Sequence, residues 1–331
     1  MGRLRFGLFV TGLPRQHSDP QAYAAGVVEL TRVARDAGFD SVIVGQHLVS
    51  GPFQYLQPLP LLARLVPESG DLQLVTGILL LPLFNPIDVA EQMATVDVLS
   101  GGRTVLGIGA GYRDEEFAAF GVDPSRRLGR IRESLEVIRG LWSGEPVSFH
   151  GEHFSIDVPG ASMVPVQPGG PPVWIAAQTE RSVRRVVGQG DHPFIGPRID
   201  LTTLRRWGRD EGLFEGASTV ALRRELHLST AGDEQAWEEA VHHIGGRYEV
   251  YRRWGQEQGL DASSEGMSMR EYLDDRVIVG TPDRAAELLA SYEEAGVTDV
   301  ALRCSWPTLP WKGIFEQVEL TGRHVIGQLR G

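Results

Sequence analysis

The apolar and polar positions between residues 72 and 112 follow two regular patterns in turn. Leu72 to Leu81 is almost continuously apolar, which is typical of a parallel strand covered on both faces. From Ile87 to Leu99 the apolar residues recur at helical spacing, and the glycines that follow end the helix. Thr104 to Ile108 is apolar again and predicts a second strand. This stretch therefore predicts one complete unit of strand, helix and strand.

The same alternation of strands and helices runs along most of the chain. Together with the two strands above, the pattern predicts eight strands, at residues 5–10, 41–45, 72–81, 104–108, 172–177, 194–195, 221–229 and 298–303. Helical patterns separate them, and right-handed crossovers close eight such units into a barrel. The sequence therefore predicts an α/β fold of the (β/α)8 TIM-barrel class, with an open, doubly wound sheet as the alternative.

Two segments interrupt this alternation. Residues 143–170 are rich in glycine and proline and carry alternating apolar residues, which predicts a hairpin. Residues 255–275 are polar and have little periodicity. Both could be lid or substrate loops near the barrel mouth, and 255–275 could equally be a surface excursion. Because such barrels often form one domain at this length, residues 1–331 are predicted to be a single domain with two insertions.

Composition narrows the functional classes. The net charge of −11, without a basic run, argues against a nucleic-acid partner. No apolar run is long enough to span a membrane and the N-terminal segment is unlike a signal peptide, so a cytoplasmic location is expected. The single Cys304 excludes an internal disulfide and a Cys-rich metal site. His242 and His243 would point about 100° apart on a helix, so no metal site is expected.

Several longer motifs occur in a fixed order along the chain. They are SGGRTVLGIGAGYRDEEFAAFGVD, ESLEVIRGLW, FHGEHFSI, PPVWIAAQ and VGTPDRAAELLASYEEAGVTDVALR. Together they resemble the bacterial luciferase-like superfamily of flavin- and coenzyme F-420-dependent oxidoreductases. The resemblance covers almost the whole chain. It implies a TIM barrel with insertions, a reduced flavin or coenzyme F-420 at the C-terminal mouth, and frequently a dimer.

Two strand ends are candidates for contact with the cofactor ring. Gly77 and Ile78 match the position where the family has a non-proline cis peptide behind the flavin; an ordinary trans strand is the alternative. Gly109, Ala110 and Gly111 follow the fourth predicted strand. Small residues there let a backbone approach a flat or anionic group, although they would also suit a tight turn.

The resemblance also implies where the phosphate end of the cofactor binds. Ala177, Gln178, Thr179 and Arg181 resemble the family's phosphate-binding turn, and a helix is predicted over residues 180–188. The first turn of a helix offers backbone N–H groups and a positive dipole end to an anion. Thr179 could instead serve only as the N-cap of that helix.

His47 is the candidate catalytic residue, because it matches a position where relatives often carry a histidine beside the flavin. With an unperturbed pKa of about 6.5, it could donate a hydrogen bond or move a proton at neutral pH. Tyr112, Phe84 and Trp306 are candidate substrate-pocket residues, with core packing as the alternative. Tyr112 stands where glucose-6-phosphate-oxidising deazaflavin relatives have a glutamate, which argues against that substrate. The acidic residues 114–116 could form a pair of reactive carboxylates, but acidic residues in a first helical turn are favoured by the helix dipole in any case.

The resemblance leaves more than one function open. The first is a monooxygenase in which reduced FMN, supplied by a separate flavin reductase, reacts with O2 to give a C4a-peroxyflavin that oxygenates a small, mainly apolar organic molecule. The second is a coenzyme F-420-dependent dehydrogenase or reductase that transfers hydride. A barrel that has lost its cofactor and serves as a binding partner is a third. A homodimer is expected from the family's habit.

Overall fold

The computed structural model describes residues 3–14, 19–51, 53–253, 268–274, 277–306 and 308–331, without the side chains of residues 13–14, 245–253 and 272. The strands are β1 Arg5–Val10, β2 Leu13–Pro14, β3 Ser41–Val44, β4 Phe53–Gln54, β5 Gln73–Thr76, β6 Thr104–Ile108, β7 Val147–His150, β8 Ser155–Val158, β9 Val173–Ala177, β10 His192–Ile195, β11 Ala221–Leu228, β12 Val277–Gly280 and β13 Asp299–Arg303. The α-helices are α1 Pro20–Asp36, α2 Pro58–Ser69, α3 Pro86–Ser100, α4 Asp114–Phe120, α5 Arg127–Trp142, α6 Glu180–Gly188, α7 Leu201–Arg205, α8 Asp233–Arg253, α9 Met269–Leu273, α10 Pro282–Glu294, α11 Trp311–Leu320 and α12 Gly327–Arg330.

Eight parallel strands close into a barrel. Their order is β1, β3, β5, β6, β9, β10, β11 and β13, and β13 pairs with β1 to complete the circle. These are the eight strands that the apolar pattern predicts, so the TIM-barrel prediction is confirmed and the open sheet is wrong. Because all eight strands are parallel, their C-terminal ends meet at one mouth.

The barrel interior is a packed core. One buried cluster takes a single residue from each of the eight strands, which is possible only inside the barrel: Phe9, Ile43, Val75, Val105, Trp174, Phe194, Ala221 and Ala301. The rings of Trp174 and Phe194 meet edge to face, with 5.8 Å between their centroids. This layer closes the barrel below the mouth, so a ligand can enter only above it.

Three details depart from the pattern. The strand predicted at Leu72–Leu81 is regular only as far as Thr76, because the chain then turns into a 3-10 segment at Leu81–Leu83 that is still buried. Strand β12 is absent from the predicted set. It pairs with the second half of β11, outside the barrel circle, and is only four residues long. Helix α4 also forms a separate element before α5.

The first predicted insertion is a hairpin, and it lies along α5. Strands β7 and β8 pair antiparallel, as the alternating residues predict. At the turn, the buried Glu133 of α5 accepts hydrogen bonds from the backbone N–H groups of Glu152, His153 and Phe154, at 2.8–3.1 Å. Of the second predicted insertion, 255–275, residues 255–267 and 275 lie outside the described residues, and the remainder contains α9. Among the described residues, no helix is long and apolar enough to cross a membrane.

Candidate active site

A cavity of about 290 Å³ opens at the C-terminal mouth of the barrel. Its wall is built from residues at or just beyond the ends of β1, β3, β5, β6, β9 and β10, together with one residue of β11. Seven of the residues predicted for the site line it: His47, Gly77, Ile78, Ala110, Gly111, Tyr112 and Gln178. Positions separated by up to 131 residues in sequence are therefore brought to one surface.

Six predicted residues do not line this cavity: Gly109, Ala177, Thr179, Arg181, Phe84 and Trp306. Phe84 packs edge to face against the ring of Phe120, 5.9 Å away. Trp306 is fully buried in a cluster with residues of α8 and β12, and Cζ of Arg303 lies 4.8 Å from the centroid of its ring. The core-packing alternative therefore describes both aromatic residues better than a pocket wall.

The segment after β5 contains the predicted cis peptide, between Gly77 and Ile78. The buried Gln46 holds the chain that follows, since its Oε1 accepts a hydrogen bond from the backbone N–H of Leu80 at 2.8 Å. Its Nε2 donates to Oε1 of Gln57 at 2.9 Å. The end of β3 and the end of β5 are thus tied together beside the cavity.

Two glycines of this wall, Gly109 and Gly77, lie close to neighbouring side chains. A Cβ at Gly109 would overlap Cδ1 of Ile78, and a Cβ at Gly77 would overlap Cγ2 of Ile43. The close approach predicted for Gly109 is therefore to the neighbouring strand end. Gly111 has a φ of +75°, a left-handed conformation that glycine adopts without strain, and it turns the chain so that Tyr112 reaches the cavity.

His47 is held by a carboxylate. Its Nδ1 lies 3.0 Å from Oε1 of Glu116, whose side chain is only 1% exposed. The same oxygen accepts hydrogen bonds from the backbone N–H of Leu48 at 2.9 Å and from Nη1 of Arg113 at 3.3 Å. An oxygen that accepts from a backbone amide and a guanidinium carries the negative charge of the pair. Nδ1 of His47 is therefore the donor, and Glu116 fixes the ring orientation.

The other ring nitrogen of His47 faces the hydroxyl of Tyr112. Nε2 lies 3.3 Å from the hydroxyl of Tyr112, and the Tyr55 ring meets the imidazole edge to face, with 5.2 Å between centroids. With the proton of neutral imidazole on Nδ1, Nε2 accepts from Tyr112; in the protonated ring, Nε2 donates instead. The site can therefore hold or release one proton at Nε2, next to the cavity.

Sequence reasoning missed the role of Glu116. Three acidic residues in a first helical turn are already explained by the helix dipole, and nothing in their order separates them. In the structure Asp114 and Glu115 are exposed, whereas Glu116 is buried beside Phe117. The usable signal was the apolar neighbour at position 117, which indicates that this side of α4 faces inward.

The start of α6 forms a capping box. The Thr179 hydroxyl accepts a hydrogen bond from the backbone N–H of Ser182 at 3.2 Å, and Oγ of Ser182 accepts from the N–H of Thr179 at 2.9 Å. The Ser182 hydroxyl also accepts from the N–H of Gln178. Thr179 thus acts as the N-cap, and the backbone N–H groups at positions 180 and 181 are those that the first turn can still offer to an anion.

Two arginines in the wall were not predicted. Arg198, three residues beyond β10, and Arg223, within β11, both line the cavity. Lysine occurs only once in the chain while arginines are frequent, so no single arginine stands out in the sequence. Only their convergence at the mouth distinguishes them.

Other reactive groups lie away from the cavity. Burial raises the pKa of the Cys304 thiol to about 12, against a lowering hydrogen bond with Thr321, so this cysteine is not a thiolate nucleophile at neutral pH. His243 hydrogen-bonds Thr308 and lies near His227 and His242. Burial, and then the charges of these two histidines, lower the pKa of His243. No group of three or more metal-ligating side chains occurs among the described residues.

Comparison with known proteins agrees with this architecture. Residues 4–299 match the family profile described as luciferase-like monooxygenase. The chain is 30% identical over 311 residues to 4-hydroxyprotoasukamycin monooxygenase of Streptomyces nodosus subsp. asukaensis, covering 89% of this chain and 84% of that protein. It is 29% identical over 302 residues to the F420-dependent glucose-6-phosphate dehydrogenase of Rhodococcus hoagii, covering 82% and 85%. The match to a further relative, the Sinorhizobium fredii protein y4vJ, spans only 62% of that protein's length.

A solved structure shares the fold. It is the oxygenating constituent of 3,6-diketocamphane monooxygenase from Pseudomonas putida, in complex with FMN. Its TM-score is 0.83 at 20% identity, and 99% of each chain is covered. At this identity the similarity establishes the barrel fold. It does not by itself assign a substrate or a cofactor.

Proposed function

Because this chain belongs to the luciferase-like monooxygenase family, we propose that it is a flavin-dependent monooxygenase that uses reduced FMN and O2 on a small organic substrate. The observation that carries the proposal is the His47–Glu116 pair in the cavity wall. A positioned imidazole at the mouth of a barrel is a group that can manage one proton next to a bound ring.

The residues present fit a flavin. Gly77, Ile78, Ala110 and Gly111 offer backbone and small apolar side chains to the face of a flat ring. The N-terminus of α6, the neighbouring strand-end element, would take the phosphate through its free first-turn N–H groups. The Arg181 side chain is exposed at this turn and would add a positive charge.

When bound, the reduced flavin would supply two electrons to O2, so that one oxygen atom enters the substrate and the other leaves as water. His47 would hold a proton at Nε2 and return it to the reacting groups, with Tyr112 as its hydrogen-bond partner. Glu116 would stabilise the protonated imidazole from the opposite side of the ring. Ile78, Leu80 and Phe194 would exclude water from the inner wall.

A coenzyme F-420-dependent hydride transfer is the second candidate. It is favoured by the match to the Rhodococcus hoagii dehydrogenase, which covers most of both chains. Tyr112 stands where the resemblance implies a glutamate in the glucose-6-phosphate-oxidising relatives, which argues against glucose 6-phosphate as the substrate. His47 and Glu116 would serve either reaction as a proton acceptor, so the cofactor must be determined directly.

The experiment is an anaerobic titration of the purified protein with reduced FMN and reduced F-420, followed by admission of air. We expect reduced FMN to bind more tightly and O2 to be consumed. His47→Ala should keep flavin binding within a few fold and lower product formation by about 10² or more, with the lost product recovered as hydrogen peroxide. Tight binding of F-420 alone, with turnover that needs no O2, would favour the second candidate.

Two partners belong to this proposal. A separate flavin reductase would deliver the reduced FMN that this reaction consumes. A homodimer is supported by α3, which exposes the apolar side chains of Val98 and Leu99 at 38% and 56%. Sedimentation velocity of the wild type and of Leu99→Lys would test the dimer.

A further inference from the structure

The charge of the cavity wall is unlike that of the whole protein. The chain has a net charge of −11. Yet the described residues that line the cavity include Arg198, Arg223 and His47 and no aspartate or glutamate. A site for a wholly apolar molecule has no need of a guanidinium in its wall, because each charged group that loses water on ligand binding weakens the complex.

Arg223 lies across the barrel from the segment expected to contact the flavin. In the closed circle of eight strands, β11 is four strands from β5 in either direction. Arg223 on β11 therefore faces Gly77 and Ile78 across the cavity. The expected phosphate-binding turn after β9 is only two strands from β11. That turn lies at the rim of the barrel, whereas Arg223 is the third residue of β11 and therefore lies deeper.

The guanidinium of Arg223 is held in place from two sides. Its Cζ lies over the Phe9 ring, 5.1 Å from the centroid. Nη2 donates to Oε1 of Glu225 at 3.0 Å, and Glu225 is fully buried and also pairs with the fully buried Arg303. The Arg223 side chain keeps 16% of its surface exposed. A guanidinium fixed in this way loses little conformational entropy when it binds a ligand.

We propose that Arg223 binds the oxyanion of the substrate, so that the substrate class is a small organic acid, a carboxylate or a sulfonate, whose apolar body points towards Ile78 and Phe194. The inference deepens the proposed function and rests on it only for the position of the flavin. The planar fork of arginine matches the oxygens of a carboxylate or sulfonate. The alternative source of an oxyanion is the phosphate of the cofactor, and the experiment below separates the two.

The test uses isosteric pairs of probes with the full-length protein. Isothermal titration calorimetry would compare benzoate with benzamide and benzenesulfonate with benzenesulfonamide, without and with bound FMN. We expect at least one anion to bind about tenfold or more tightly than its neutral partner, a difference of about 1.4 kcal/mol. Equal binding within both pairs, or no binding of either anion, would overturn the proposal.

Variants assign the effect to the residue. Arg223→Gln should abolish the preference for the anion, while Arg223→Lys should keep part of it. Arg209→Gln, at an exposed arginine that contacts the C-terminal end of α10, should behave as wild type. FMN affinity should stay within about twofold in Arg223→Gln; a parallel loss of FMN and anion binding would assign the arginine to the cofactor phosphate and refute the proposal. A preserved anion preference in a protein that binds neither cofactor would refute the proposed function alone.

Discussion

The buried carboxylate behind His47 gives a sharp prediction about stability. In Glu116→Gln the side chain keeps its shape, but the charge that accepts hydrogen bonds from His47, Leu48 and Arg113 is lost. Hydrogen bonds to a charged group contribute about 1.5–3 kcal/mol, against about 1 kcal/mol for a neutral one. Removing one partner of a buried pair costs about 3–5 kcal/mol when the other charge is left behind.

The expected loss of stability overlaps only the lower part of that range of about 3–5 kcal/mol. Arg113 also donates a hydrogen bond to the carbonyl of Leu48 at 3.1 Å, so its guanidinium keeps a hydrogen-bond acceptor in the variant. The side-chain oxygen of the glutamine can still accept one hydrogen bond. Against this, the new amide N–H2 takes the place of Oε2, which has no hydrogen-bond partner among the described residues. We therefore expect Glu116→Gln to lower the free energy of unfolding by about 2–4 kcal/mol.

The assay is urea unfolding near neutral pH, followed by circular dichroism and tryptophan fluorescence. Glu115→Gln is the matched control, because Glu115 is the adjacent glutamate, is 73% exposed, and lies 3.9 Å from the same arginine. It should change stability by less than about 0.5 kcal/mol. Equal unfolding midpoints for the two variants would refute the reasoning. In a double-mutant cycle with His47→Gln, a coupling energy of about 0.5 kcal/mol or more is expected.

Three further predictions concern single features of the fold. Cys304, with its thiol pKa raised to about 12, should not react with Ellman's reagent in the native protein at about pH 8, and one thiol should appear on unfolding in urea. The pKa of His243 is lowered in the folded protein, so the stability that its neutral ring contributes is present above its ordinary pKa of about 6.5. This stability is lost as the pH falls through the lower folded value. Between about pH 7 and pH 5, the thermal midpoint of His243→Gln should therefore drop less than that of the wild type. Thr179→Ala with Arg181→Ala should cost about 1 kcal/mol of stability through the lost cap and should weaken FMN affinity without lowering turnover at saturating FMN, so an unchanged FMN affinity would move the phosphate site elsewhere.

The barrel was predictable because its strands carry their own signal. A parallel strand buried on both faces reads as a short apolar run, and eight such runs alternate with helical patterns. Strand β12 is also apolar but has only four residues. It pairs only with the second half of β11 and contributes no residue to the buried layer inside the barrel. Four apolar residues before a helix do not distinguish a barrel strand from an added edge strand, so its place depends on tertiary pairing.

The site was predictable only where chemistry follows a strand end. His47 and Gly77 come directly after strands, and parallel strands bring their ends to one mouth, so position alone nominates them. Glu116 and Arg223 have no such position: one is in a helical turn where acids are common, the other is inside a strand of a chain rich in arginine. Their roles come from partners far away in sequence, 69 residues from Glu116 to His47 and more than 200 from Arg223 to Phe9. Each also has a partner two or three residues away, Glu225 for Arg223 and Arg113 for Glu116, but the contact that brings it to the cavity is made across the barrel and leaves no local pattern in the sequence.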